Sequence, residues 1–269
     1  MTAWTDLAAR RDGIPVLEPG HVWLAGAGPG DPGLLTLDAL AGLTQADVIV
    51  HDALVDVRVL ALAGPRARLE FAGKRGGKPS AVQADISRRL VSLAQAGERV
   101  LRLKGGDPFM FARGGEEAAA LAAAGVPFRI VPGITAGLAA LAAALIPTTR
   151  RGINRAVIFA AGYGADAEGA PDWAALARTG EPIVLYMAMR NLGEIADALV
   201  AGGLAPQTPV AVIAAVTTAQ ERVLVSTLER VAADVEAHGI EAPAIVAIGD
   251  IVTARSDLHA VAPVRERSR

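Results

Sequence analysis

The chain has 269 residues, of which 52% are hydrophobic, 4% aromatic and 20% charged, with a formal net charge of −2 and no cysteine. That length and apolarity suit two modest α/β domains and exclude global disorder, and the charge balance speaks against a nucleic-acid binder. The missing cysteines exclude disulfides, thiolate nucleophiles, zinc–thiolate sites and iron–sulfur clusters, and fit a cytoplasmic protein.

In chain order, residues 1–19 carry charges throughout and show no apolar core, so no signal peptide is expected. Residues 22–25 read as a strand running into glycines, 34–44 as a helix, 47–50 as a second apolar run and 66–71 as a third strand. A helix over 85–95 stops at Gly97, 100–103 is a strand, a helix over 116–124 stops at Gly125, and 128–131 is a strand. Alternation of this kind predicts βαβ units and a largely parallel sheet. The alanine-rich run 134–146 is too short to span a bilayer and reads as a buried helix. In the second half, 156–160, 183–187, 209–216, 222–227 and 244–248 read as strands, with 209–216 and 222–227 as candidate antiparallel neighbours. Helices are expected over 193–201 and 228–237, and a loop over 162–172. The domain boundary falls near 132–137, giving an N-terminal α/β domain over 20–134 and a C-terminal one over 138–260.

Three glycine loops follow predicted strands. In the first, Gly28, Gly30 and Gly33 match the dinucleotide pattern, and Asp52 follows at a strand end about twenty residues on, which makes a nicotinamide-dependent dehydrogenase the rival reading. Pro29 and Pro32 weigh against it, because each removes a backbone N–H where a pyrophosphate needs donors. The second loop is Lys104-Gly105-Gly106-Asp107-Pro108, whose Asp107 can accept from ribose hydroxyls or an ammonium group, or can simply open the next turn. The third is Pro132-Gly133-Ile134-Thr135-Ala136-Gly137, where Thr135 can cap the following helix. Glycine loops at the C-terminal ends of parallel strands face one crevice, where open α/β sheets bind ligands. Lys74, Arg75, Lys78, Arg113, Arg150, Arg151 and Arg155 lie beside glycine or proline segments in a chain that is not basic overall, which suggests a small polyanionic substrate.

Taken together, Gly26-Ala27-Gly28-Pro29-Gly30-Asp31-Pro32, Gly73-Lys74-Arg75-Gly76-Gly77-Lys78-Pro79, Arg102-Leu103-Lys104-Gly105-Gly106-Asp107-Pro108-Phe109, Arg113-Gly114-Gly115-Glu116-Glu117 and Val131-Pro132-Gly133-Ile134-Thr135-Ala136 resemble the tetrapyrrole methylases. Within that family they are most similar to the members that act on uroporphyrinogen III. The resemblance implies a two-domain α/β fold, each domain a mixed, mostly parallel sheet flanked by helices, with S-adenosylmethionine in the cleft between them. It also implies a cytoplasmic homodimer without nucleic-acid or membrane partners, and no catalytic metal. The implied activity is two successive C-methylations of uroporphyrinogen III, through precorrin-1 to precorrin-2, for cobalamin or sirohaem synthesis, with S-adenosylhomocysteine as by-product. Residue by residue, it implies cofactor contacts at Pro29, Gly105, Gly106, Asp107, Thr135, Ala136, Met187, Val216 and Ala244. Substrate contacts fall on Arg75, Arg113, Arg151 and Met187, with Arg113 and Glu116 in the catalytic role.

Two positions depart from the family pattern: Thr149-Arg150-Arg151 stands where relatives usually carry Thr-His-Arg, and Gly162-Tyr163 where they commonly carry Gly-His. If the missing histidine aids proton removal or substrate docking, turnover or substrate choice differs. The alternatives are a methylase of a later precorrin and a cofactor-binding homologue with reduced turnover.

Overall fold

In the computed structural model of the chain, residues 13–72, 83–164 and 168–259 are described. Two compact units divide between Ala136 and Gly137.

In the first unit, β1 (Val22–Gly26), β2 (Val48–His51), β3 (Arg68–Phe71), β4 (Val100–Lys104) and β5 (Phe128–Val131) form one sheet in the order β3-β2-β4-β1-β5. Every pairing in it is parallel. β1 and the core of β2 are continuously apolar because helices cover both faces. Trp23, Ala25, Ile49, Leu101 and Leu103 pack on one side, against Ala39 and Leu43 of the helix Leu37–Gln45. Val22, Leu24, Val48, Val50 and Val100 pack on the other, against Leu90 and Leu93 of the helix Gln83–Gln95 and Leu121 of the helix Gly114–Ala123.

The helix expected over 34–44 starts later, because Pro32–Leu34 forms a 3-10 turn and Thr36 then caps Leu37–Gln45, its Oγ1 accepting from the Ala39 N–H at 3.2 Å. Thr36→Ala is expected to lower stability by about 1 kcal/mol, read as a lower urea midpoint with unchanged slope. The short helix Val57–Leu60, not read in the sequence, begins where the Asp56 carboxylate accepts from the Arg58 N–H at 2.8 Å.

In the second unit, β6 (Ile158–Ala161), β7 (Ile183–Tyr186), β8 (Pro209–Ala214), β9 (Arg222–Thr227) and β10 (Ala244–Ile248) form a sheet in the order β6-β7-β10-β8-β9. The two-sheet α/β architecture is as expected, and the parallel majority holds for the first sheet. The second sheet corrects that detail. Only β6 and β7 pair in parallel, whereas β10 runs antiparallel to both β7 and β8, and β8 runs antiparallel to β9. The connection 215–221 between β8 and β9 is too short for a crossover helix, so those strands form a hairpin. Leu185, Val212 and Val246 of this sheet pack with Trp173, Ile195 and Leu199 of the flanking helices Trp173–Arg178 and Leu192–Ala201. The apolar run over 134–146 carries the expected helix, as Ala136–Ala143, with Ala139, Ala140 and Leu141 buried. No helix among the described residues is long and apolar enough to cross a membrane.

Candidate active site

Strand order puts β4, β1 and β5 side by side, so the loops that leave their C-terminal ends start together. Ala27 donates its N–H to the Lys104 carbonyl at 2.7 Å. Gly28 and Gly106 exchange N–H to carbonyl bonds of 3.1 and 2.7 Å, with φ of 67° and 69°, in the left-handed region where glycine is strongly favoured. Gly133 completes the corner. A Cβ there would lie 2.3 Å from the Gly106 oxygen and 2.8 Å from the Gly26 Cα, and a Cβ on Gly26 would lie 2.4 Å from that same oxygen. Three backbones therefore touch directly, and glycine is what lets them.

Asp107 laces this corner. Its Oδ1 accepts from the Phe109 N–H at 2.8 Å and its Oδ2 from the Gly133 N–H at 3.0 Å, so the carboxylate ties the second loop to the third. Thr135 is buried, and the Ala136 nitrogen would lie 3.4 Å from a Cβ on Gly106. Pro29, next to Gly28, is half-buried. Pro29, Gly105, Gly106, Asp107, Thr135 and Ala136 are thus gathered at one end of the first sheet.

This donor set fits an adenosyl group better than a dinucleotide. The N–H groups of Gly28 and Gly106 are spent on each other, and Pro29 and Pro32 have none. Asp52, the ribose acceptor of the dehydrogenase reading, instead accepts from Arg102 Nη2 at 2.5 Å. Little remains for a pyrophosphate, whereas a sulfonium-bearing adenosyl cofactor carries no phosphate to be neutralised.

Arg113 stands just before the helix Gly114–Ala123 with φ of 60°, a left-handed conformation uncommon outside glycine and costly enough to be associated with functional positions. Its guanidinium forks onto Glu116, with Nε to Oε1 at 2.8 Å and Nη2 to Oε2 at 2.7 Å, and both side chains are exposed. The hydrogen bonds from Arg113 hold the Glu116 carboxyl below the usual carboxylate range. It is therefore ionised at neutral pH and suits charge pairing better than proton storage.

The second unit has its own cluster at a strand end. The register Val246↔Leu185 brings the start of β10 beside the end of β7, and Ala244↔Ala214 brings it beside the end of β8. Met187, Val216 and Ala244 thereby gather at one end of the second sheet. Met187 itself has φ of 57° and is 59% exposed, and Val216 is flanked by Ala215 and Thr217 at 48° and 62°. Left-handed backbone at three non-glycine residues beside one cluster marks a place where conformation serves something besides packing. Tyr186 fixes the base of this corner by accepting the Gly137 N–H at 3.0 Å.

Of the remaining predicted site residues, Arg151 is exposed in the turn after Pro147, and Arg75 lies outside the described residues. Arg150 pairs with Asp257 at 3.1 Å. Among the described residues no group of three or more His, Asp or Glu could hold a metal ion. The sequence reading missed a cluster behind the glycine corner in which buried Arg102, Lys104 and Glu117 meet the partly exposed Asp52. The signal was available: two cations at alternate positions of an otherwise apolar strand.

Residues 21–232 match the family model of the tetrapyrrole (corrin/porphyrin) methylases. The chain is 59% identical over 250 residues to a uroporphyrinogen-III C-methyltransferase of Sinorhizobium sp, covering 91% of this chain and 89% of that one. It is 45% identical to a siroheme synthase of Pseudomonas aeruginosa over 91% of its own length but only 53% of the relative's, so it spans about half of that protein. Among solved structures, the uroporphyrin-III C-methyl transferase from Thermus thermophilus complexed with S-adenyl homocysteine matches with a TM-score of 0.74 and 38% identity, over 87% of this chain and 99% of that one. On the glycine corner and these matches, the chain belongs to the tetrapyrrole (corrin/porphyrin) methylases.

Proposed function

We propose that the chain catalyses the S-adenosylmethionine-dependent C-methylation of uroporphyrinogen III in two steps, through precorrin-1 to precorrin-2, for sirohaem or cobalamin synthesis. The observation that carries this reading is the 59% identity, over nearly the whole of both chains, to a relative of that name.

Bound S-adenosylmethionine supplies an electrophilic methyl group. A reduced pyrrole carbon is already nucleophilic, so the chain needs no covalent nucleophile, and its work is alignment. Pro29, Gly105, Gly106, Asp107, Thr135 and Ala136 from the first unit, with Met187, Val216 and Ala244 from the second, hold the cofactor. Arg75, Arg113 and Arg151 receive substrate carboxylates, and Met187 offers an apolar contact. Glu116, ionised beside Arg113, holds the guanidinium fork until a substrate carboxylate takes its place. The protein works in the cytoplasm as a homodimer, in keeping with the family resemblance and the absence of cysteine.

The test is incubation with uroporphyrinogen III and methyl-labelled S-adenosylmethionine. Two labels in precorrin-2 are expected, with matching S-adenosylhomocysteine. Label transfer only to a later precorrin would overturn the substrate assignment, and binding of NADH without S-adenosylhomocysteine would overturn the class. Arg113→Ala is expected to raise KM for uroporphyrinogen III about tenfold while changing the Kd for S-adenosylhomocysteine by less than about twofold. Equal losses in both would reject the division of roles.

A further inference from the structure

β4 breaks the pattern of its own sheet. On the face covered by the helices Gln83–Gln95 and Gly114–Ala123, β1 and β2 present Val22, Leu24, Val48 and Val50. On that face β4 presents Val100, then Arg102 and Lys104, which are 1% and 2% exposed. Both cations meet Glu117, which is fully buried. Glu117 Oε1 accepts from Arg102 Nε at 3.0 Å, Lys104 Nζ at 3.2 Å and Gln83 Nε2 at 3.1 Å, while its buried Oε2 has no hydrogen-bond partner among the described residues. Asp52, at the end of β2, takes the other side, 2.5 Å from Arg102 Nη2 and 3.6 Å from Lys104 Nζ. Arg102 Nη1 also donates to the Val50 carbonyl at 3.3 Å.

Two buried cations thus face one buried carboxylate, Glu117, and one partly exposed one, Asp52. Such a set is a poor stabiliser, because desolvation consumes most of the Coulombic gain and apolar residues of similar volume serve as well or better. A buried carboxylate oxygen without a partner makes it poorer still. The location supplies another reason for it. Lys104 immediately precedes Gly105-Gly106-Asp107, and Glu117 lies in the first turn of the helix that begins behind Arg113. Three donors on one oxygen orient the carboxylate and link the end of β4 and the start of the helix Gln83–Gln95 to the start of Glu117's own helix, and Asp52 ties in the end of β2.

We infer that Glu117 is a positioning residue for methyl transfer, fixing the 105–107 loop relative to Arg113 through Lys104 and Arg102. The inference rests on the methyltransferase reading above.

Its test separates positioning from folding. Lys104→Met with Glu117→Gln removes one charge of each sign and leaves Arg102 paired with Asp52, so the interior stays balanced and the melting temperature is expected to stay within a few degrees of wild type. The Kd for S-adenosylhomocysteine, read by calorimetry, is nevertheless expected to rise about tenfold and kcat for methyl transfer to fall about tenfold or more, since small misplacements of reacting groups have effects of that size. Wild-type affinity and kcat in the double variant would overturn the inference alone. Failure of the wild-type protein to bind S-adenosylhomocysteine would overturn the methyltransferase reading and this inference with it. Should the double variant unfold, Lys104→Met, which leaves Glu117 its Arg102 partner, carries the same readout. A lower melting temperature with unchanged Kd and kcat in that variant would assign the cluster to folding only.

Discussion

Gly133→Ala is expected to weaken S-adenosylhomocysteine binding by about 100-fold or more, the scale on which an ångström of misplacement acts in a preorganised site. The added methyl carbon would lie 2.3 Å from the Gly106 oxygen, 2.8 Å from the Gly26 Cα and 3.0 Å from the Gly26 carbonyl carbon. All three are backbone atoms, and none can swing aside as a side chain would. Gly26 is further held in β1 by its register with Lys104, and Gly106 by its exchange with Gly28, so relief must come from moving the third loop. That movement stretches the Asp107 to Gly133 hydrogen bond and drags Thr135 and Ala136 with it. Overpacking of this kind also lowers stability, here by about 3 kcal/mol, near the upper end for such changes. Calorimetric titration of the folded variant at low temperature reads the binding loss, and urea unfolding reads the stability. Binding within about threefold of wild type would show that the corner has more freedom than its geometry allows.

Gly26, Gly28, Gly106 and Gly133 are legible in the sequence because glycines at strand ends imply close approach, and the family pattern says of what. The partners of Asp107 are not legible, since an Asp-Pro turn opener and a ligand acceptor look alike until Gly133, far along the chain, is brought beside it. Glu116 and Glu117 also look alike in the sequence, as two acids in a helix first turn. One turns to water and Arg113, and the other points into the sheet. Only the phase of the helix against β4 separates them. The strand order of the second sheet is hidden for a different reason: β10 comes last in the chain yet inserts between β7 and β8, and nothing local to Ala244–Ile248 specifies its neighbours. The helices Val57–Leu60 and Trp173–Arg178 escape because four and six residues are too few for a period to show, and only their Asp56 and Asp172 caps mark them.

Adjacent glycines at the start of one helix give the second large expectation. Gly114→Ala would put a Cβ 2.1 Å from the Pro108 oxygen and 3.1 Å from the Phe109 ring, against a carbonyl that already accepts the Gly114 N–H at 3.1 Å. The 108–113 segment has no easy retreat, since Phe111 and Arg113 already hold left-handed backbone, at φ of 52° and 60°. Loss of about 2–3 kcal/mol of stability is expected. Displacing Arg113 should also raise KM for uroporphyrinogen III by about tenfold or more. Gly115→Ala is the control within the same helix turn. A Cβ there meets nothing within 4 Å, and the residue is exposed, so alanine's better helix propensity should raise stability by about 0.5 kcal/mol with KM unchanged. The two variants add the same methyl group at adjacent positions, so any general intolerance of the helix to alanine would appear in both. A lower melting temperature and a raised KM at Gly114 alone, with a slightly higher melting temperature and unchanged KM at Gly115, would locate the constraint in the Pro108 carbonyl. Equal losses at the two positions would place it instead in the flexibility of the helix start, and Arg113 would then owe its conformation to that flexibility and not to packing.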